Sequence, residues 1–542
     1  MSIDADALRP SVGVLESPSA QTAEPADPAK DADDVDRSGR PTATGRYLRG
    51  SSLLLVGRGV SLLLNLAVQV LSVRVLSKSD YGAFAYALGV ASIGSSVVLL
   101  GLDKAVSRFV PLYQERGEER KVFGTLALAV AIVLGLGISA VLIVYGLRGV
   151  LLGSVVSDPL SLALLLILIA LAPIQALDSL LQHVIAIFVG ARAIFFRRHV
   201  VGPGLKLAAV LLVMAASGDA YLLAYGYLAA GLLGVALYVW ILVRVWHRSG
   251  VLSRLRLRAL ELPVRELLGY SLPLLSSVLI TLIAGSFAVV LLEHFHGTRE
   301  VATFRAVLPV ARLNLVVLES FSLLFIPLAS RMFARGDRDG LNDLYWRTAT
   351  WISVLTFPLF AITVCLAKPV TLLLFGSAYA SSASLLGILS VGFYFYAALG
   401  FNAFTLRVHG RVGPVFVINT VAAVLGVGIT ALLAARFGAA GAALGVTLTL
   451  VLHSLLNHVG LLVLNTGVRL LNGRFLRIYI VIEAMAGGLL AVQEWFSPPI
   501  YASLVLAGLA WLCVIRLTRR ELDPATTFPE LMRIPLARRL LC

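Results

Sequence analysis

No G-x-x-x-x-G-K-[ST] sequence occurs in this 542-residue chain, so the phosphate-cradling loop of a nucleotide-driven pump is missing. Cysteine is scarce. Cys365, Cys513 and Cys542 are the only three, and their spacing indicates neither a disulfide framework, a metal site nor a cofactor. Charge is scarce as well, at 14% of residues. Residues 1–46 are acidic, rich in Pro and Ala, and lack any apolar stretch that could serve as a signal-peptide core. They read as a disordered cytosolic tail.

What the chain has in abundance is apolar sequence: 58% of residues are hydrophobic, mean hydropathy is +0.90, and apolar runs repeatedly approach the roughly 20 residues a bilayer requires. The expected fold class is an all-α polytopic membrane protein. Breaking the runs at Gly, Pro and charge clusters gives fourteen spans, near 49–75, 81–103, 123–147, 160–189, 200–217, 221–245, 268–293, 304–331, 347–367, 380–406, 412–435, 439–465, 476–493 and 499–516.

The net charge of +15 would suit nucleic acid in a soluble protein, but here its position decides. On the fourteen-span map, 33 Lys and Arg fall in one set of loops and tails, and six, Arg74, Lys78, Arg148, Arg299, Lys368 and Arg436, fall in the other. That split predicts an even number of spans with both termini in the cytosol, as a multi-pass protein of the plasma (inner) membrane with membrane lipids rather than nucleic acid around it. Short connections on the arginine-poor side leave no room for an external domain.

An internal repeat divides the spans. LSKSDYGAFAYA precedes span two and HGTREVATFRAV precedes span eight, with Phe84 and Phe304 220 positions apart; Arg116-Gly117 and Arg335-Gly336 follow those spans at a separation of 219. One near-constant offset over two matches predicts duplicated lobes of like topology. The expected division is a tail 1–46, a first lobe 47–247 with helices one to six, a linker 248–267, a second lobe 268–467 with helices seven to twelve, two appended helices in 468–518, and a tail 519–542.

Polar side chains inside the spans are the candidate site. A charge near the midplane costs at least about 2.5–3.5 kcal/mol, which marks water-filled paths and ligand sites. Arg58, Asn65 and Gln69 share one face of span one, with Arg58 about 12 Å inside it at 1.5 Å per residue; snorkelling to the headgroups is the competing reading. In span eight, Arg305, Arg312 and Glu319 recur every seven residues on one face, away from Asn314. Arg305 lies near enough to the external end to snorkel, whereas Arg312 and Glu319 do not. Glu319 reads equally as counter-ion or proton site.

Span four carries Gln175, Asp178 and Gln182 on one face with His183 beside it; these could bind sugar hydroxyls or join helices. His453, Ser454, Asn457 and His458 in span twelve, and Tyr394, Phe395 and Tyr396 in span ten, read rather as packing. Lys206 is expected to snorkel, and Glu483 has no evident role.

The run from Leu76 to Lys121, with Tyr81-Gly82, Gly101-Leu102, Arg108-Phe109-Val110-Pro111 and the Gly117-Glu118 turn, resembles the second helix and following loop of polysaccharide (Wzx-like, O-antigen type) flippases. FIPLASRMFARGD, Phe325 to Asp337, is similar to that family's motif after its eighth helix. The likeness extends over about residues 49–516 and places the chain near the multidrug/oligosaccharidyl-lipid/polysaccharide exporter superfamily.

The resemblance implies two six-helix lobes around a central cavity that opens alternately to either side, plus two appended helices. The implied substrate is a polyprenyl-diphosphate-linked oligosaccharide moved to the outer leaflet, with a polysaccharide polymerase or glycosyltransferases as neighbours. It also implies that Arg58 and Arg312 face each other across the cavity, where guanidinium groups could bind a diphosphate bidentately. The rival readings are an ion-coupled multidrug exporter, for which an acidic cavity would be expected, a scramblase, and a membrane glycan polymerase, which would need an external loop that is missing.

Overall fold

The computed structural model describes residues 43–154, 156–189, 195–248, 260–399, 401–408, 412–464, 466–469 and 473–522. Nearly all of the expected tails, most of the linker 248–267 and Cys542 lie outside the described residues. The compact body begins at Leu53. Cys365 is buried and Cys513 exposed, both as free thiols.

Helices follow one another throughout, and no strand forms among the described residues beyond a single bridge between Leu152 and Val156. The first half comprises α1 (Ala43–Val75), α2 (Lys78–Leu99), α3 (Leu102–Glu115), α4 (Glu119–Gly146), the short α5 (Arg148–Ser154), α6 (Pro159–Leu168), α7 (Leu171–Phe188), a π-helical stretch Phe195–Val201 that runs into α8 (Gly202–Ala215), and α9 (Ala220–Arg248). The second half comprises α10 (Val264–Leu282), α11 (Ala288–His296), α12 (Thr298–Ala311), α13 (Val316–Ala334), α14 (Arg338–Val364), α15 (Ala367–Phe375), α16 (Ser382–Ala398), α17 (Phe401–Val408) and α18 (Val412–Val463). The appended pair is α19 (Gly473–Phe496) and α20 (Ile500–Leu517), followed by the single turn α21 (Arg519–Leu522).

Among the described residues twelve stretches are long and apolar enough to cross a membrane. The difference from fourteen lies in two places. The expected spans 412–435 and 439–465 form one stretch, Gly413–Val463, which reverses at Gly438, where φ is 57° and ψ −137°; His453 on one arm meets Asn419 on the other at 2.9 Å. The expected span 268–293 is Val264–His296, interrupted by π-helical turns at Ile283–Phe287. Large apolar side chains such as Leu142, Val424, Phe437 and Val505 are exposed, as a lipid-facing surface requires.

Local sequence explains the boundaries. Ser77 caps α2 by accepting from the Asp80 amide, and Asp158 caps α6 by accepting from Ser161 ahead of Pro159. Left-handed Leu100 and Gly101 break α2 from α3.

The repeat is visible bond by bond. Helices α2 and α12 start 220 residues apart, at Lys78 and Thr298. After α3, Gly117 has φ +70° and after α13 Gly336 has φ +71°. In the first turn Gly117 N donates to Gln114 O at 3.0 Å and Glu118 N to Tyr113 O at 2.9 Å; in the second, Gly336 N donates to Phe333 O at 3.0 Å and Asp337 N to Met332 O at 3.1 Å. Each bond recurs at an offset of 219, and each turn is the glycine C-cap that satisfies a helix's last carbonyls.

The halves are fastened at their arginine-poor end. Ser79 and Thr298 share a hydrogen bond at 3.0 Å, and Gly82 lies so close to the Thr298 carbonyl that a Cβ would collide with it. Arg74 donates to the Leu374 carbonyl at 2.8 Å and Lys78 to that of Ala378 at 3.3 Å. The buried carboxylate of Glu293 accepts from the Ser157 amide at 3.0 Å. One core carries side chains of both halves, among them Phe84, Tyr86, Leu292 and Phe304. A second core, including Tyr345, Phe401, Ile478 and Val514, seats the appended helices on α14.

Candidate functional site

Beneath the seal lie two adjoining compartments. The first, between the halves, has a volume of about 480 Å³ and is walled by α1, α2, α7, α8 with its π-helical lead-in, α9, α12 and α13. The second, about 460 Å³, is enclosed by α1, α7, α8 and α9 of the first half alone. Asn65, Gln175, Arg198 and Lys206 belong to both walls.

Of the residues expected at the site, Arg58, Asn65, Gln69, Gln175, Arg305 and Glu319 line the first compartment and Asp178 the second. Arg58 reaches Glu319 of the other half at 3.3 Å, with both side chains about half exposed. Its Nη1 is buried and has no hydrogen-bond partner among the described residues. Gln69 fastens the top of the cavity: its amide nitrogen donates to Tyr81 Oη at 2.7 Å and to the carbonyls of Arg305 and Ala306 at 3.2 Å each. Asn65 donates to the Ser61 carbonyl at 2.7 Å. Eleven residues separate Gln69 from Arg58, about 16 Å along the helix.

Arg312 stands apart from these residues: it is not among those lining either compartment, although Arg305 and Glu319, which line the first, are near enough to act on its charge. Its guanidinium lies against Gly285, where no Cβ intrudes, with its centre 5.9 Å from the centroid of Phe393. Pro309 sits within α12 and residues Arg312–Leu315 tighten into a 3-10 turn, so the ideal helical wheel linking 305, 312 and 319 does not hold across this segment. The second half's cation in the cavity is Arg305. Asn314 is buried and donates to Thr363 at 3.1 Å, away from the cavity as expected.

Three cations that sequence reasoning placed elsewhere line the compartments. Lys206 does not snorkel; it stands in both walls, with Nζ 5.6 Å from the centroid of Tyr227. Arg198 and Arg197, assigned to a loop, are carried into the cavity by the π-helical turns that open α8. Arg197 is buried, donates to the Gly234 carbonyl at 2.9 Å, pairs with Asp178 and lies 5.0 Å over Tyr238. It stands 19 residues from Asp178, a separation that helical periodicity does not bridge.

The remaining candidates serve packing. His453 bonds to Asn419, Asn457 donates to the His453 carbonyl at 2.7 Å, and Tyr345 and His458 meet at 3.3 Å. Tyr394 donates to the Ser353 carbonyl at 3.0 Å. His183 bonds to the Ser179 carbonyl at 2.8 Å. Among the described residues no group of three or more His, Cys, Asp or Glu could hold a metal ion.

The cavity is therefore cationic: Arg58, Arg197, Arg198, Lys206 and Arg305 stand against Asp178 and Glu319, and each carboxylate is already paired with an arginine. A site with that surplus of positive charge favours an anion.

Residues 70–384 match the family described as "Polysaccharide biosynthesis protein". No curated protein matches in sequence. Among solved structures, the lipid II flippase MurJ in an inward closed conformation is similar with a TM-score of 0.66 at 14% identity, over 86% of this chain and 99% of that one. An inward-facing multidrug resistance MATE family transporter of the MOP superfamily gives 0.62 at 15% identity, over 73% of this chain and 92% of that one. A MOP superfamily transporter from Pyrococcus furiosus, described by the reverse polarity of its binding pocket, gives 0.52 at 15% identity, over 76% and 94%. At these identities the likeness is one of fold: the chain has the two-lobed, multi-pass membrane architecture of those transporters.

Proposed function

Because the chain belongs to the polysaccharide biosynthesis protein family, we propose that it is a flippase, carrying a polyprenyl-diphosphate-linked oligosaccharide from the cytosolic to the outer leaflet by alternating access for cell-surface polysaccharide assembly. The observation that carries this reading is the cavity's charge. Five basic side chains against two paired carboxylates suit a diphosphate, whose oxygens accept bidentate bonds from guanidinium groups. A cationic drug would meet repulsion there, which disfavours the exporter reading.

Orientation follows from the loops. With 33 basic residues on one side and six on the other, the sealed arginine-poor end faces the exterior, the termini are cytosolic, and the cavity is offered to the cytosolic leaflet of the inner membrane. The pair Arg58–Glu319 joins the halves below the seal. An entering diphosphate competes with Glu319 for Arg58, and the unpartnered Nη1 of that arginine offers a donor at once. Release of the bonds at Gln69, Ser79 and Glu293 is then the change that opens the outer side.

The test is deletion followed by analysis of lipid-linked intermediates. Unpolymerised oligosaccharide on its lipid carrier should accumulate in the cytosolic leaflet. Unchanged intermediates, with loss of drug resistance instead, would give the exporter reading the better claim.

A further inference from the structure

The second compartment is lined by one half alone, whereas the cavity between the halves also takes Arg305 and Glu319 from the other. It shares Ser61, Asn65, Gln175, Arg198, Lys206 and Tyr227 with that cavity; the polar side chains it holds alone are Asp178, Ser179, Gln182 and Arg197. The side chains of Gln175 and Gln182 make no hydrogen bond to any described residue, nor does the hydroxyl of Ser179, whereas Gln69 on α1 has its amide nitrogen fully committed. Each free carboxamide offers two donors and an acceptor, and the serine one of each. Arg197, the one cation confined to this compartment, is committed to Gly234 and Asp178.

We propose that this compartment is a saccharide subsite, binding the sugar next to the diphosphate through Gln175, Ser179 and Gln182 while the cations at its mouth hold the phosphates. The inference rests on the flippase reading and deepens it. A neutral polyol presents hydroxyls that both donate and accept, which matches unspent carboxamides and a hydroxyl better than a lipid tail, a cation or a second anion would. Arg198 and Lys206, shared between the two walls, stand at the junction where phosphate and sugar meet. A volume of about 460 Å³ lies toward the small end of ligand pockets, roughly 300–1,000 Å³. It holds the phosphate-proximal part of the glycan and leaves a long chain outside.

One consequence is mechanical. Every wall residue lies between Ser61 and Gly231, so these walls travel together when the halves rock. The cavity between the halves takes Arg305 and Glu319 from the other side, so its grip changes in the same motion. The sugar therefore rides with the first half while the diphosphate exchanges partners.

The test measures binding by the purified full chain in detergent to a bare polyprenyl diphosphate and to the same lipid carrying a single hexose or N-acetylhexosamine. The wild type should prefer at least one glycosylated probe. Gln182→Leu and Ser179→Leu, both confined to the second compartment, should each weaken that probe roughly three- to tenfold, the loss of about one neutral hydrogen bond, and leave the bare probe within about twofold. Retained binding of the bare probe shows that each variant is folded, and the two variants decide independently. A wild type that does not distinguish bare from glycosylated probes, or variants that weaken both equally, would overturn the subsite and leave the diphosphate reading standing. Failure of the wild type to bind any of these lipids would instead overturn the flippase reading, and this one with it.

Discussion

Arg58 holds two states in one side chain: one guanidinium nitrogen sits 3.3 Å from Glu319, and another is buried without a hydrogen-bond partner among the described residues. On the proposed reading, Glu319 holds the place beside Arg58 that an anionic ligand would take. Glu319→Gln should therefore tighten binding of a bare polyprenyl diphosphate severalfold, and Arg58→Gln should weaken it roughly tenfold or more, the cost of a charged hydrogen bond; a titration in which Glu319→Gln binds more weakly than wild type would refute the competition. Arg197 has a different task. It is buried, and its partner Asp178 is about a third exposed, so Arg197→Met leaves a largely desolvated carboxylate unpaired. Discounted for that exposure, the loss is on the order of 2–3 kcal/mol, to be read as a lower melting temperature in detergent, and an unchanged melting curve would mean that the pair does not support the fold.

At the scale of elements, the proposed alternating access makes the contact between α2 and α12 the one that holds the arginine-poor end closed. Ser79 and Thr298 are each near the start of their helix and touch at 3.0 Å, and Gly82 lets the Thr298 backbone approach. Since a carbonyl cannot swing aside as a side-chain tip can, Gly82→Leu should force the helices apart and favour the state open at the arginine-poor end. A Ser79→Cys/Thr298→Cys pair should cross-link readily under oxidation, and adding Gly82→Leu should suppress the cross-link; equal yields would show that this contact does not gate the cavity.

Sequence made α2 and α12 legible because turn chemistry and hydropathy recur at one offset, down to the left-handed Gly117 and Gly336. It misplaced Arg197 and Arg198 because hydropathy ends a span where charges begin, and here a π-helical stretch carries those charges inward; Lys206 lay inside a span, but periodicity does not say whether its amine turns to the headgroups or to the cavity. It misplaced Arg312 because a helical wheel locates a Cα, while Pro309, a 3-10 turn and a long side chain decide where the guanidinium goes.

For the whole molecule, burial and charge point the same way. One core ties the halves together at the arginine-poor end, a cationic hollow remains beneath it, and apolar side chains face outward. The two-lobed architecture was readable from length, hydropathy and repeat, since the bilayer leaves helices as the means to satisfy the backbone of such apolar runs. Which charges meet in the hollow was not, since that depends on helix irregularities with no periodic signature. The decisive measurement is translocation in liposomes. The purified protein would be reconstituted with a polyprenyl-diphosphate-linked oligosaccharide, and the glycan reaching the opposite leaflet would be scored by accessibility to an added lectin. Wild type should equilibrate the lipid across the bilayer while a well-folded Arg58→Gln/Arg305→Gln variant leaves it near the protein-free rate; equal transfer by both would contradict the cationic cavity as the path of the substrate.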